Sequence, residues 1–451
     1  MSLIGRSLFY ATHRLRGSRS LELFEQIRHA PRAPAERVRE EQLRRLRRLL
    51  EHAETRVPYY RELFAGLGIG SRDIRSLADL AQLPVLTKEL VRERQRDLVR
   101  EDVPLGALSQ HHSGGSTGVP LTFYRDAAYM DASTAGTYRN FSQAGWRPGE
   151  MVAFFWGWNQ QLNEMPRWKF ELRQWARRFY QFDPFQSGPA EMERWLRRWR
   201  TLRPRVALGY ASTIDRFAAH AEAAGARLPP LRGVFTTAEK LYPQQRERLA
   251  RVFGCPVFDC YGSSEVQNIA SECPHGSMHV NADFVVLEAE PSAEPGAPQP
   301  LLVTSLLNYA MPFIRYRNAD GGALVEGACA CGGGFPLMSL GIARVSDNFV
   351  LPNGRVVHGE FFTHLLYGSA GIASFQFHQR TADEIVLWYV PGPGDGERRR
   401  HALRSACAAT EALAPGLLRV EARETAAIPL SSAGKHRFTR SDVAAAQLAG
   451  R

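Results

Sequence analysis

The sequence contains few lysines. Of its 57 basic residues only four are lysines, at Lys88, Lys169, Lys240 and Lys435. A lysine side chain ends in a compact ammonium group, whereas arginine ends in a broad planar guanidinium. In a chain that otherwise uses arginine, each lysine is therefore a candidate for a role that needs a point charge.

Cysteines are also few, and long apolar runs are missing. The six cysteines are Cys255, Cys260, Cys273, Cys329, Cys331 and Cys407. No apolar run reaches the roughly 20 residues of a membrane-spanning helix, and the basic N-terminal segment lacks the apolar core of a signal peptide. These features predict a reduced, cytoplasmic protein without a membrane span.

Acidic residues are outnumbered, 46 against 57 basic ones, which gives a net charge of +11. Much of this excess lies on predicted helical faces such as residues 37–48 and 194–205, where charge runs are usually solvated. No aromatic-flanked basic motif of a nucleic-acid-binding module is present. We therefore expect no nucleic-acid partner.

The order of predicted elements indicates an α/β protein with more than one domain. The length of 451 residues exceeds that of a typical single domain. Residues 1–110 and 160–205 predict mostly helices. Strands at 206–209, 233–237 and 257–261 alternate with helices at 212–224 and 243–253, a pattern typical of a parallel sheet. Residues 280–317 predict antiparallel strands, and the segment after residue 341 predicts a small α+β unit with a hairpin around Asn353-Gly354.

A glycine- and hydroxyl-rich loop follows the first helical region. It consists of Ser113, Gly114, Gly115, Ser116, Thr117 and Gly118. Glycines let backbone N–H groups approach an anion, and successive N–H groups with hydroxyls form a nest for phosphate. The next residues predict a strand, so the loop is expected to be a hairpin turn, and Val119 stands where a Walker A motif requires lysine. The alternative is a polar surface linker.

Four further short motifs follow this loop in order. They are Tyr261-Gly262-Ser263-Ser264-Glu265, Tyr316-Arg317-Asn318-Ala319-Asp320, Ala343-Arg344-Val345-Ser346-Asp347 and Ser432-Ala433-Gly434-Lys435-His436-Arg437. With the loop, they resemble the adenylate-forming superfamily of acyl- and aryl-CoA ligases. The nearest branch is the phenylacetate-CoA ligase-like group, which includes proteins of capsule-synthesis loci. Thr237-Ala238-Glu239 is similar to the family's Gly-x-Glu element beside the nucleotide, with Thr237 in place of glycine.

The resemblance implies a reaction and a set of cofactors. A carboxylic acid would be activated with ATP and Mg²⁺ to an acyl-adenylate and then transferred to CoA to give a thioester. It implies a large N-terminal domain (1–341) with parallel-sheet subdomains and a β-barrel-like part, and a mobile C-terminal α+β cap (342–451) pivoting at Ser346–Asp347. Ala343 and Ser346 depart from the residues usual at this hinge.

The resemblance also implies roles for individual residues. The loop 113–118 and the turn Gly262, Ser263 and Ser264 would bind the nucleotide, with Glu239 beside it. Tyr261 would stack on adenine, Asp320 would accept hydrogen bonds from ribose, and Arg344 would donate to ribose or phosphate. Glu265 would be a Mg²⁺ ligand, and Lys435 would contact the carboxylate and the α-phosphate.

Other interpretations stay open at this point. Glu265 could cap a helix, Asp320 could occupy a turn, and Lys435 could be an ordinary surface residue. The acyl group could pass to a polysaccharide precursor, sugar or amine instead of CoA. The protein could also be a nucleotide-binding regulator without turnover, although the presence of both Glu265 and Lys435 argues against this.

A second group of residues points to zinc. Cys273 and His279 are followed some fifty residues later by Cys329 and Cys331, with His275 as a competitor for His279. Zinc prefers cysteine and histidine in closed tetrahedral sets, and some members of the branch bind zinc in this region. The alternative is that the thiols are buried as small hydrophobic groups.

The acid-binding pocket is the part that the sequence defines least. Six aromatic residues are candidates to line it, although aromatic residues on strands usually belong to a core. They are Phe154, Phe155, Trp156, Trp158, Tyr210 and Phe235. We expect a small carboxylic acid as substrate and allow for a homodimer.

Overall fold

The computed structural model describes residues 3–112, 121–156, 166–184, 189–291, 299–340, 349–353, 356–357, 359–366, 369–393, 396–429 and 436–443. The N-terminal part is helical, as predicted. Its helices are α1 (Leu3–Leu15), α2 (Ser20–Ile27), α3 (Ala35–Arg56), α4 (Pro58–Leu67) and α5 (Lys88–Glu93). Helix α3 buries Leu46, Leu49 and Leu50 at helical spacing. Thr87 caps the start of helix α5, and its hydroxyl accepts the N–H of Leu90 at 3.3 Å.

A two-stranded hairpin and a long helix follow. Strands β1 (Ser109–His112) and β2 (Thr122–Arg125) pair antiparallel, with His112 opposite Thr122. The predicted hairpin is therefore confirmed in its strands. Helix α6 (Ala127–Gln143) is capped by Asp126, whose carboxylate accepts the N–H of Tyr129 at 2.8 Å.

One large mixed sheet forms the centre of the structure. Its strands are β3 (Val152–Phe155), β4 (Phe179–Phe182), β5 (Val206–Tyr210), β6 (Gly233–Thr237), β7 (Val257–Tyr261), β8 (Ala270–Glu272), β9 (Met278–Val280), β10 (Val285–Ala289), β11 (Gln299–Ser305), β12 (Tyr316–Val325) and β13 (Leu337–Leu340). The strand order is β10-β11-β12-β13-β9-β8-β7-β6-β5-β3-β4. Strands β7, β6, β5, β3 and β4 are parallel, and the parallel sheet predicted from the strands at 206–209, 233–237 and 257–261 is thereby confirmed. The antiparallel strands, which the resemblance placed in a β-barrel-like part, extend the parallel strands as one sheet within the described residues.

Helices cover the parallel half. They are α7 (Arg167–Arg177), α8 (Pro189–Leu202), α9 (Ala211–Ala223) and α10 (Pro243–Phe253). The helical prediction for residues 160–205 is corrected at β4, which lies between α7 and α8 and pairs with β3.

Both faces of the parallel half are buried, so neighbouring strand residues enter two different cores. Phe155 belongs to the core beneath α8, α9 and α10, whereas Phe235 belongs to the core beneath α6. Both are at most 1% exposed. Phe155 and Phe235 therefore lie in hydrophobic cores, which is the usual place of aromatic residues on strands.

The C-terminal segment forms a second sheet with its own core. Its elements are β14 (Phe349–Val350), β15 (Val356–Val357), α11 (Gly359–Leu366), β16 (Ile372–Thr381), β17 (Glu384–Pro391), α12 (Gly396–Glu411), β18 (Arg419–Glu424) and β19 (Thr439–Ser441). Strands β14 and β15 form the predicted hairpin. The order β18-β17-β16-β19 mixes parallel and antiparallel pairs over a core that includes Phe362, Phe377 and Leu387. The predicted α+β character is confirmed.

Across the part of the chain that the structure describes, no helix combines the length and apolar character needed to cross a bilayer.

Candidate active site and metal centre

Several predicted site residues lie outside the described residues. These are the loop 113–118, Arg344 and Lys435, together with the pocket candidate Trp158. The strands on either side of the loop are described, and at its base His112 Nδ1 and Thr122 Oγ1 are 3.0 Å apart. The described candidates are Glu239, Tyr261–Glu265 and Asp320, together with the four zinc ligands.

The hydroxyl of Tyr261 connects β7 to β12. It donates to Asp320 Oδ2 at 3.0 Å and accepts from Asn318 Nδ2 at 2.7 Å. The backbone N–H of Asp320 in turn donates to Asn318 Oδ1 at 3.2 Å. The two motifs that contain Tyr261 and Asp320 are thus in direct contact. Asn318 lies inside the second of these motifs but was not among the predicted site residues.

Glu265 is a buried carboxylate with a phenol beside it. It is 4% exposed, and its Oε1 accepts from the hydroxyl of Tyr316 at 3.2 Å. Burial, together with the negative charge of Glu265, raises the pKa of Tyr316, so that this hydroxyl stays a donor. Residues 266–269 lead from Glu265 directly into β8. The alternative that Glu265 caps a helix is therefore not supported.

Arg125 fixes the turn that contains Glu265. This residue ends β2, is 2% exposed, and donates from Nη2 to the carbonyl oxygens of Ser264 and, at 3.4 Å, of Glu265. Its guanidinium lies 4.6 Å from the ring centroid of Tyr129. Burial lowers the pKa of Arg125, whereas the nearby Tyr129 and Glu265 raise it. Arg125 thus links the hairpin around the predicted phosphate loop to the predicted metal ligand. The role of Arg125 was not predicted, because a single arginine at a strand end has no distinctive sequence pattern.

Glu239 joins the large sheet to the C-terminal segment. Its Oε2 accepts the N–H of Ser212 at the start of α9, at 2.9 Å, and its Oε1 accepts the N–H of His436 at 3.0 Å. The preceding Ala238 has φ 67°, a left-handed conformation uncommon for alanine. Glu239 follows this left-handed residue and contacts both partners.

His436 is held as a neutral ring. Its Nε2 donates to the carbonyl oxygen of Phe375 at 3.1 Å. Burial, and then the positive charge of Arg216, lower its pKa to about 4. The backbone of His436 therefore has a fixed position beside Glu239, one residue after Lys435 in the sequence.

Cys273, His279, Cys329 and Cys331 come together in one cluster. Their four ligand atoms all lie within 4.8 Å of one another. The Sγ atoms of Cys273 and Cys329 are 3.7 Å apart, and Cys331 Sγ is 3.4 Å from His279 Nε2. Zn–S bonds of about 2.3 Å in a tetrahedron place sulfur atoms about 3.7 Å apart, so the set fits zinc.

Surrounding groups orient the ligands of this cluster. His279 Nδ1 donates to the carbonyl oxygen of Phe335 at 3.0 Å, which leaves Nε2 free to bind a metal. The N–H of Gly333 donates to Cys331 Sγ at 3.3 Å. A Cβ on Gly334 would lie 2.2 Å from the carbonyl oxygen of Ala33, so only glycine permits this close packing. His275, the competing candidate, is exposed and outside the set.

Replacing Cys331 by serine is expected to lower both bound zinc and the melting temperature. A structural ion contributes its binding free energy to folding, and a hydroxyl is a poor substitute for a thiolate. Metal analysis should find about one zinc per wild-type chain, and differential scanning fluorimetry should show a loss of several degrees. Cys407→Ser, in α12 and away from the cluster, is the matched control. A metal-free preparation that melts at the wild-type temperature would contradict a structural zinc.

Known proteins resemble this chain over most of its length. No protein-family model matches the chain. Protein CapK of Staphylococcus aureus is 22% identical over 354 residues, which cover 74% of each chain. Phenylacetate-coenzyme A ligase of Thermus thermophilus is 25% identical over 374 residues, covering 78% of this chain and 81% of that one.

A solved structure of 2-hydroxyisobutyryl-CoA ligase in the postadenylation state superimposes with a TM-score of 0.73 at 20% identity, covering 94% of this chain and 93% of that one. The same enzyme in the thioesterification state gives a TM-score of 0.61 at 20% identity, covering 94% of each chain. The mixed α/β fold is therefore that of this ligase. Together with the ordered motifs and the relatives, it makes the chain similar to enzymes of the adenylate-forming ligase superfamily.

Proposed function

We propose that the protein activates a carboxylic acid with ATP and Mg²⁺ and then transfers the acyl group to CoA. One observation supports this most directly. Two pairs of contacts, Tyr261 with Asp320 and Glu265 with Tyr316, join the β7 turn to β12. A candidate ribose acceptor and a candidate metal ligand are thereby held on the same pair of elements.

Different residues would bind different parts of ATP. Asp320, oriented by Tyr261 and Asn318, would accept hydrogen bonds from ribose hydroxyls. The loop 113–118, at the end of a hairpin that Arg125 fastens to the β7 turn, would donate N–H groups to the phosphates. A bound Mg²⁺ would neutralise charge on the phosphates. Glu265 is the candidate ligand, because its carboxylate is oriented by the Tyr316 hydroxyl and hard oxygen ligands suit Mg²⁺.

We further propose that residues 1–341 form the adenylation domain and 342–451 a mobile cap. The superposition favours the postadenylation state of the solved ligase over its thioesterification state. In the same arrangement Glu239 holds the N–H of His436, the residue after Lys435. This contact supports a cap that faces the large domain while the adenylate forms.

The test is release of pyrophosphate from ATP with a panel of aromatic, branched and hydroxylated acids, with and without CoA. Release that depends on one acid class, with a CoA thioester as product, is the expected result. Pyrophosphate release without thioester in the presence of CoA would favour a different acyl acceptor. Nucleotide binding without release for any acid would favour the regulatory alternative.

Replacing Glu239 by glutamine is expected to slow adenylate formation about tenfold, because one charge-assisted hydrogen bond to the cap is lost. Given a synthetic acyl-adenylate, the variant should transfer the acyl group to CoA at the wild-type rate. Separate assays of the two half-reactions measure this. Glu247→Gln, an exposed change on α10, is the control. Equal losses in both half-reactions would mean that Glu239 only stabilises the fold.

A further inference from the structure

Helix α1 packs against α7, and the pair exposes large apolar side chains. Trp168 is 65% exposed, Leu172 is 54% exposed, and Leu15 at the end of α1 is 87% exposed. Trp168 and Leu172 are four residues apart and therefore share one face of α7. Such side chains cost free energy in water unless something covers them.

Cationic side chains lie among these apolar ones. Lys169 and Arg173 neighbour Trp168 and Leu172 in the sequence, and the Lys169 Nζ is 5.4 Å from the ring centroid of Trp168. Helix α1 has no acidic residue, and the single acid of α7, Glu171, is bound to Arg198. Within the described residues, the face formed by α1 and α7 thus has a large excess of positive charge.

Among the described residues, the arginines on this face have no acidic ion-pair partner. Arg16, Arg173 and Arg177 form no ion pair with a described acid. Burial, and then the charges of Arg16 and Arg173, lower the pKa of Arg177 to about 10. Burial and the charge of Arg173 likewise lower the pKa of Arg16. An anionic surface would reduce the electrostatic repulsion among these cations.

We propose that this face docks on an anionic lipid surface, with Leu15, Trp168 and Leu172 entering the headgroup region and Arg16, Lys169 and Arg173 contacting lipid phosphates. Tryptophan and leucine beside arginine and lysine are typical of helices that lie in the membrane interface. Neighbouring cations each strengthen the attraction to anionic lipid. The inference is independent of the catalytic proposal.

The apolar side chains favour lipid over a nucleic acid as the occupant. A nucleic acid would use the cations and could stack on Trp168, but it offers nothing to Leu15 or Leu172. A bilayer surface accommodates all three apolar side chains and the cations at once. The dependence of binding on Leu172 therefore separates the two occupants.

The test is flotation of the full-length protein with phosphatidylcholine vesicles, with and without phosphatidylglycerol, at low and high salt. Wild type should float only with the anionic vesicles, and less at high salt. Trp168→Ala/Leu172→Ala should weaken partitioning at least about tenfold. Arg16→Gln/Arg173→Gln should weaken it about fivefold for each charge.

Matched variants control for exposure and charge. Leu417→Ala removes a leucine that is 55% exposed in the C-terminal segment. Arg251→Gln/Arg423→Gln removes two exposed charges elsewhere. Both should float like wild type. Absence of flotation, equal loss in the control variants, or binding to an oligonucleotide but not to vesicles would each overturn the proposal. Adenylation by each variant, assayed without vesicles, should equal wild type.

Discussion

Replacing Glu265 by glutamine is expected to slow adenylate formation by about 100-fold or more while ATP still binds. Glutamine keeps the shape of the side chain and can still accept from the Tyr316 hydroxyl, but it removes the negative charge. Electrostatic stabilisation at a developing phosphate charge is usually worth this much in a preformed site. Pyrophosphate release measures the rate, and a fluorescent ATP analogue measures the binding.

Tyr316→Phe is the companion variant, since it removes only the hydroxyl that orients Glu265. A loss of about fivefold is expected, on the scale of one hydrogen bond. Increasing Mg²⁺ should partly restore Tyr316→Phe and have little effect on Glu265→Gln. Unchanged turnover in Glu265→Gln would place the metal ligand elsewhere.

Replacing Lys435 by alanine is expected to slow adenylate formation by several orders of magnitude and leave the second half-reaction intact. Lys435 is one of four lysines and follows Gly434 near the C-terminus. Its sequence neighbour His436 is anchored to Glu239 and Phe375. A cap in this position would direct an ammonium at the α-phosphate, and rotation of the cap would then remove it. Thioester formation from a synthetic acyl-adenylate should therefore proceed at nearly the wild-type rate.

Two further variants sharpen this result. Lys435→Arg should restore the first half-reaction only in part, because a guanidinium is larger and planar. Lys169→Ala, which removes a lysine on α7, should leave both half-reactions unchanged. If Lys435→Ala lost both half-reactions equally, the rotating-cap account would be wrong.

Local patterns in the sequence predicted much of the fold. Strands 233–237 and 257–261 and helix 243–253 are confirmed at the predicted bounds, because apolar runs and flanking turn residues define them locally. Strand β4 was not predicted, because Phe179–Phe182 is only four residues long and lies between two arginine-rich helices. The antiparallel strands were predicted, but their continuity with the parallel half depends on pairings between distant residues.

The candidate site was predictable where motifs are short and ordered. Tyr261 and Asp320, 59 residues apart, are in contact, as expected of two motifs that serve one ligand. The contact of Glu239 with His436, across 197 residues, was not predictable, because no local pattern connects the two. The role of Arg125 was not predictable for the same reason. The roles of the loop 113–118, Arg344 and Lys435 stay predictions.

One junction within the large sheet, between strands β13 and β9, is narrow. Strands β13 and β9 share a single paired position, Leu337 opposite His279, and His279 is also a member of the cysteine cluster. Asp320, on β12, lies on the β13 side of this junction, and Tyr261, on β7, lies on the β9 side. An ion held by the cluster would fasten the two sides together and so keep Asp320 within reach of Tyr261. Metal and nucleotide would then be thermodynamically coupled ligands, each raising the affinity of the other by the same factor.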